Sequence, residues 1–348
     1  MTREGSPLLE AVGITKHFRA RSSRFGRSGI VHAAEDISLS LYPGSVTAVV
    51  GESGSGKSTL SRLLARTHKP TAGSLRLRGE PVDLHRPADR AYRRAVQLVL
   101  QDPFASLNPV HDVNYILSRP LQIHGLGGRD LRESVLDLLR RVSLEPAEQF
   151  IDKYPHELSG GQRQRVSIAR CLAVRPQVLL ADEPVSMLDV SIRLGILNLL
   201  ADLRDREQLA ILYVTHDIAS ARYLADTIMV MYAGRVVEVG PADRVVNHPA
   251  HPYTQLLLSA APDPESTDQD SWRGSAGSPP SLVSPPSGCR FHPRCPFAMA
   301  ICSTDNPPQL PVGEGHVAAC WLHDAGVTGG THRHTGDADV FMPRGERG

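Results

Sequence analysis

The chain of 348 residues holds only five cysteines, and four of them fall between Cys289 and Cys320. It has no run of roughly 20 apolar residues, the length a membrane-spanning helix needs, so an integral membrane protein is not expected. The opening "MTREGSPLLE" lacks the apolar stretch of a signal peptide. A cytoplasmic setting is therefore expected, where thiols stay reduced and grouped cysteines bind metal more readily than they pair as disulfides. The formal charge of +1 supplies no field to attract a polyanion, so no nucleic-acid partner is expected. There is no internal repeat. With 41% apolar and 22% charged residues, the composition is that of a soluble chain able to bury one large or two modest cores.

Short apolar runs fill residues 8–50: "LLEAVGITKHF", "AAEDISLSL" and "SVTAVVG" read as strands, the last apolar enough to be buried on both faces. The Arg-rich stretch 19–31 between the first two reads as a solvated hairpin tip. A helix should begin near Lys57, with strand text again at "GSLRLRGEPV". Residues 88–175 read as mostly helical; Leu131, Val135, Leu138, Leu139 and Val142 fall on one helical face. The strands "QVLLAD" and "LAILYVTH" flank the helical "VSIRLGILNLLADLRDR", which predicts a parallel sheet with crossover helices. "TIMVMYAGRVVEVG" predicts a hairpin turning at Ala233 and Gly234. The Pro/Ser/Gly/Asp text of 261–288 reads as a linker, 289–322 as a cysteine segment and 323–348 as a mobile tail.

"VVGESGSGKSTL" places Gly51, four residues, then Gly56-Lys57-Ser58 between a buried strand and a helix. That is the context of a phosphate-binding loop. Small residues let successive backbone N–H groups turn toward phosphate oxygens, and the helix start adds partial positive charge. The expected ATP and Mg²⁺ contacts are Gly51, Glu52, Ser53, Gly54, Ser55, Gly56, Lys57, Ser58 and Thr59. Lys57 reaches the β- and γ-phosphates, and the Ser58 hydroxyl holds the metal. "VLLADEP" ends a strand in two carboxylates: Asp182 suits Mg²⁺, and Glu183 suits a general base that polarises the attacking water.

"LSGGQRQRVSIARCLA" supplies a second candidate anion site. Ser159 caps a helix whose first N–H groups Gly160 and Gly161 leave uncovered, with Val166, Ala169 and Leu172 on the face behind. One γ-phosphate does not need two such helix starts from one molecule, so each nucleotide is expected to lie between two protomers. Here the sequence resembles the ATP-binding cassette (ABC) ATPases, whose signature reads LSGGQ; Ser159, Gly160, Gly161 and Gln162 would face the other protomer's phosphate.

The resemblance covers 8–260 and implies a P-loop ABC cassette: a parallel-sheet core, an antiparallel β subdomain and a helical subdomain at about 90–170. It implies that Gln101 is the Q-loop residue, that Asp189 belongs to the D-loop "SMLD", and that His216 is the switch histidine. It also implies that an aromatic, with Phe18 the candidate, stacks on adenine. All the catalytic positions (Lys57, Gln101, Glu183, His216) are filled.

"LQDPFASLNPVHDVNYILSRPL", "YPHELSGGQRQRVSIARCL" and "NHPAHPYTQLLLSAAP" resemble the ATPase subunits of oligopeptide, dipeptide and nickel importers. That resemblance implies two transmembrane permease subunits, a second ATPase subunit that is more readily a paralogue than a second copy, and an extracytoplasmic solute-binding protein. The chain would sit on the cytoplasmic face of the membrane. "GCRFHPRCP" follows the family's C-terminal cysteine pattern, in which several relatives carry an iron–sulfur cluster. Cys289, Cys295, Cys302 and Cys320 suit a [4Fe–4S] cluster; Cys₄ zinc is the runner-up, since no CxxC pair is present, and unmetallated thiols come third. His292 and His316 are lesser substitute ligands, and Cys171 reads as a buried apolar residue. The metal is expected to staple a segment that could hardly fold alone. The alternatives are a soluble ABC ATPase without membrane partner, an importer of nickel or another non-peptide solute, and an iron–sulfur regulator.

Overall fold

Three strands in the chain are buried at every position: β3 (Ser45–Val50), β7 (Val178–Asp182) and β8 (Ala210–Thr215). They lie at the centre of a sheet in the computed structural model, which describes residues 5–20, 29–102, 106–128, 130–260 and 277–328. The tip 21–28, the linker as far as 276 and the tail beyond 328 lie outside the described residues.

β1 (Leu9–Ala20) and β2 (Gly29–Leu41) pair antiparallel, and β4 (Ala72–Leu77) and β5 (Glu80–Pro81) complete a four-stranded sheet in the order β2-β1-β4-β5. The second sheet has eight strands. β6 (Val96–Val99), β7, β8, β3 and β9 (Thr227–Tyr232) run parallel, and β10 (Arg235–Pro241) turns back antiparallel on β9. The turn at Ala233 and Gly234 places both residues at positive φ, 46° and 85°, as a two-residue hairpin whose twist matches its strands requires.

Alternation along β8 divides the core. Ile211 and Tyr213 face one apolar cluster, and Ala210, Leu212 and Val214 face another shared with the antiparallel sheet. Helices α1 (Lys57–Leu64) and α2 (Arg90–Ala95) precede the helical layer of α3 (Val113–His124), α4 (Leu131–Arg141) and α5 (Gly160–Leu172). Asp112 and Asp130 cap α3 and α4, accepting from the N–H groups of Tyr115 and Glu133. α6 (Val190–Glu207) and α7 (Ile218–Leu224) cross between strands, and α8 (Ala242–Asn247) and α9 (Pro252–Ser259) follow β10.

Four expectations need correction. The stretch read as helical contains β6, which at four residues is too short to impose a strand period and is recruited by pairing with β7. The described end of the linker is strapped down: the His32 N–H donates to the Leu282 carbonyl, and Leu282 packs on the core. The cysteine segment does not depend on metal alone for order. Its β11 (Leu310–Gly313) and β12 (His316–Ala318) extend the eight-stranded sheet through β10, and Phe291 is 1% exposed among Tyr232, Tyr253 and His251. Burying such a ring contributes about 1.5–3 kcal/mol. The tail begins later than 323, since the His323 imidazole bonds the Ala250 carbonyl at 2.9 Å.

Candidate nucleotide site

The loop after β3 is a cradle that side chains would fill. A Cβ at Gly56, where φ is 103°, would lie 2.2 Å from the Ala33 carbonyl oxygen, so only glycine allows this approach. Lys57 is 4% exposed, and its ammonium donates to the Gly51 and Glu52 carbonyls at 2.7 and 2.9 Å. Burial lowers its pKa, opposed by the Glu183, Asp182 and Glu52 carboxylates. The buried Ser55 hydroxyl has no hydrogen-bond partner among the described residues. An orphaned polar group in a phosphate cradle fits a ligand that completes it.

Beside the loop, Ser58 Oγ donates to Asp182 Oδ1 at 2.9 Å. Burial raises the Asp182 pKa, opposed by that hydroxyl. A buried carboxylate paired with a hydroxyl is a donor set of the hard-oxygen kind that Mg²⁺ prefers. Glu183 follows at φ 48°, held there as its N–H donates to the Val214 carbonyl at 2.9 Å. A non-glycine residue in this region costs about 1–3 kcal/mol. The strain re-aims the carboxylate out of the strand: Gln101 Nε2 donates to Glu183 Oε2 at 3.0 Å, and His216 Nδ1 lies 3.4 Å from the same oxygen. Gln101 and His216 arrive from the ends of β6 and β8, so three strand ends gather one amide, one carboxylate and one imidazole.

Ser159 accepts from the Gln162 N–H at 3.3 Å, and Gln162 returns the bond to the Ser159 N–H at 2.9 Å, a closed capping box. Gly160 is half-buried and Gly161 is buried. A Cβ there would meet Ile192 Cγ2 at 2.5 Å, so this glycine lets α5 close on α6. Asp189 begins α6 without a side-chain cap and is exposed beside Met187. Phe18 lies on β1 opposite Val31, edge-on to His68 and 4.8 Å from the Lys16 ammonium. Cys171 is buried, as its helix face requires.

Cys289, Cys295, Cys302 and Cys320 line one small cavity with His251, Phe291 and Trp321. Burial pushes the Cys295 thiol up to about 11 and the Cys320 thiol to about 12, and raises that of Cys289. His316 is committed elsewhere, its Nε2 bonded to Glu238 Oε1 at 2.7 Å, and His292 Nδ1 bonds the Cys289 carbonyl.

Sequence reasoning missed two features. Glu35 accepts from His17 (2.9 Å), His32, Arg235 (3.0 Å) and Arg290. Burial raises its pKa, but these partners hold it down at about 2. His17, His32 and Glu35 could gather around an ion, yet the two guanidiniums already supply the compensating charge. The second feature is Arg294, which bonds Glu52 in the phosphate loop at 3.0 Å through both terminal nitrogens. Its signal lay inside "GCRFHPRCP", where the cysteines are the more conspicuous residues.

Comparison with known proteins agrees with this geometry. Residues 34–186 match the family model for ABC transporters, and 237–302 match that for the oligopeptide/dipeptide transporter C-terminal region. The chain is 42% identical to a probable peptide ABC transporter ATP-binding protein of Sinorhizobium fredii, over 90% of this chain and 89% of that protein. It is also 42% identical to the dipeptide transport ATP-binding protein DppF of Escherichia coli, over 91% and 95%. Among solved structures, an ATP-binding cassette described as a post-hydrolysis dimer bound to ADP and Pi is similar at a TM-score of 0.58 and 29% identity, covering 67% of this chain and 98% of that one. The chain belongs to the ATP-binding subunits of the oligopeptide/dipeptide ABC transporter family.

Proposed function

We propose that this ATPase energises uptake of dipeptides or oligopeptides, docked on the cytoplasmic face of two permease subunits and paired with a second, paralogous ATPase subunit. An extracytoplasmic binding protein would deliver the solute. The relatives' names support the solute class. No helix among the described residues is long and apolar enough to cross a membrane, which is consistent with peripheral attachment.

The observation that carries the mechanism is the meeting of Gln101 and His216 on Glu183 beside the Ser58–Asp182 pair. In this reading Lys57 and the loop N–H groups neutralise and orient the triphosphate. Ser58 and Asp182 would hold Mg²⁺, which supplies positive charge on the phosphate oxygens. Glu183 accepts the proton of the attacking water, and Gln101 and His216 fix its carboxylate and the water. Phe18 would stack on adenine. Ser159, Gly160, Gly161 and Gln162 would close the partner protomer's nucleotide, with the Cα of Gly161 resting against Ile192 and Asp189 at the seam. Glu183→Gln should retain ATP binding and lose turnover; undiminished hydrolysis would remove Glu183 from its role.

We also propose that the four C-terminal thiolates hold a [4Fe–4S] cluster. Tetrahedral zinc requires sulfurs about 3.8 Å apart, whereas among the described residues no three of these sulfurs come within 4.8 Å of one another. That all four thiols face one small cavity supports a shared ligand for them. Its contribution would be cross-linking, since loading would exchange the thiol protons for four bonds that tie the segment together. Iron analysis and the visible spectrum of anaerobically purified protein test the assignment.

A further inference from the structure

Glu52 is an electrostatic liability where it stands. A carboxylate one residue into a phosphate loop repels the triphosphate the loop receives, and it must be neutralised without water. The structure does this from the far end of the chain. Arg294 places both terminal nitrogens 3.0 Å from the two Glu52 oxygens, with the pair 10% and 25% exposed. Its guanidinium lies against the Tyr232 and Phe291 rings and donates to the Tyr232 hydroxyl at 3.3 Å. The Glu52 backbone is held too, its N–H donating to the buried Tyr253 hydroxyl at 2.8 Å. At the other end of the loop, the Ser55 carbonyl accepts from the Gly234 N–H at 2.8 Å, and the adjoining Ala233 carbonyl accepts from Arg290. Arg294 thus touches the loop directly, and Arg290 holds the turn that bonds its other end.

We propose that Arg294 is a positioning residue for ATP binding: supplied by the C-terminal segment, it neutralises and anchors Glu52 so that the loop's N–H groups stay turned toward the phosphates. The inference rests on the reading that Gly51–Thr59 bind the triphosphate. The fork matters as much as the charge, because a planar guanidinium matches a carboxylate bidentately and an ammonium does not.

The test uses the full chain, measuring Mg·ATP affinity with a fluorescent analogue, KM and kcat, and thermal unfolding. Arg294→Ala should raise the Kd and KM for ATP about tenfold, the scale of one charge-assisted hydrogen-bonded pair, with kcat changed less than about twofold. Arg294→Lys should fall between. The double variant Arg294→Ala/Glu52→Gln should return Kd to within about threefold of the parent, because the charge left bare is gone. Parental affinity in Arg294→Ala, or no recovery in the double variant, overturns the proposal, since a merely structural loss would not be repaired by Glu52→Gln. Should Arg294→Ala not fold, Arg294→Lys with and without Glu52→Gln makes the same comparison: a raised Kd that Glu52→Gln repairs supports the proposal, and parental affinity or no repair overturns it. Lys57→Ala separates the premise: ATP binding undisturbed in that variant would sink the triphosphate reading itself, whatever Arg294 does.

Discussion

Two glycine-rich helix starts in this chain look alike in sequence and are built differently. The loop leading into α1 is held by its own chain: its lysine is buried, Gly51 and Gly56 meet neighbouring backbone, and Tyr253, Gly234 and Arg294 brace it. The start of α5 is held by the Ser159–Gln162 box and by packing of Gly161 on Ile192 of α6, and leaves Ser159 at the surface. Both can offer N–H groups to an anion. The difference fits the proposal that the first holds a nucleotide by itself and the second completes a site on another protomer.

The comparison is sharpened most by separating hydrolysis from binding. Glu183→Gln should lower turnover by about three orders of magnitude, the range of a lost general base, with ATP affinity nearly unchanged; ATPase rate and equilibrium binding measure it. Ser159→Arg should block the α5 half-site, cutting turnover about a hundredfold, as for one lost transition-state donor. Its ATP affinity in the isolated chain should match the parent's, because the loop before α1 needs no help from α5. Equal losses of affinity in Lys57→Ala and Ser159→Arg would erase the distinction between the two starts.

Metal removal probes the braces. If the cysteine segment holds the iron proposed for it, stripping that iron should raise the Kd for ATP several-fold, less than Arg294→Ala, because Arg294 sits between Cys289 and Cys295 but β12 still anchors the segment to β10. Binding measured against iron content checks this. The smallest effect concerns Glu35, whose carboxylate stays ionised to about pH 2 in the fold against an ordinary value of 4.5. A lowered pKa stabilises the fold above the ordinary value, and that contribution disappears as pH falls from about 4.5 to about 2. Acid unfolding of Glu35→Gln should therefore show a shallower pH dependence over that interval.

What the sequence made legible was local. The phosphate loop, "VLLADEP" and the capped "LSGGQ" each state their chemistry within a dozen residues, and β3 and β8 announce burial by their largely apolar text. What it hid was distant or short. The Arg294–Glu52 pair spans 242 positions, and no periodicity encodes it. β6 and β12 are four and three residues long and exist because a neighbouring strand pairs with them. That Gly161 sits against Ile192 was hidden too, because the contact depends on where a second helix lies.

The central claim is that ATP is held between two cassettes. Light scattering of the Glu183→Gln chain, alone and mixed with its partner ATPase subunit, with Mg·ATP and then with Mg·ADP, tests it most directly. The account predicts a two-cassette species that forms with ATP and falls apart with ADP. A chain that binds ATP fully in both samples and stays single would contradict it.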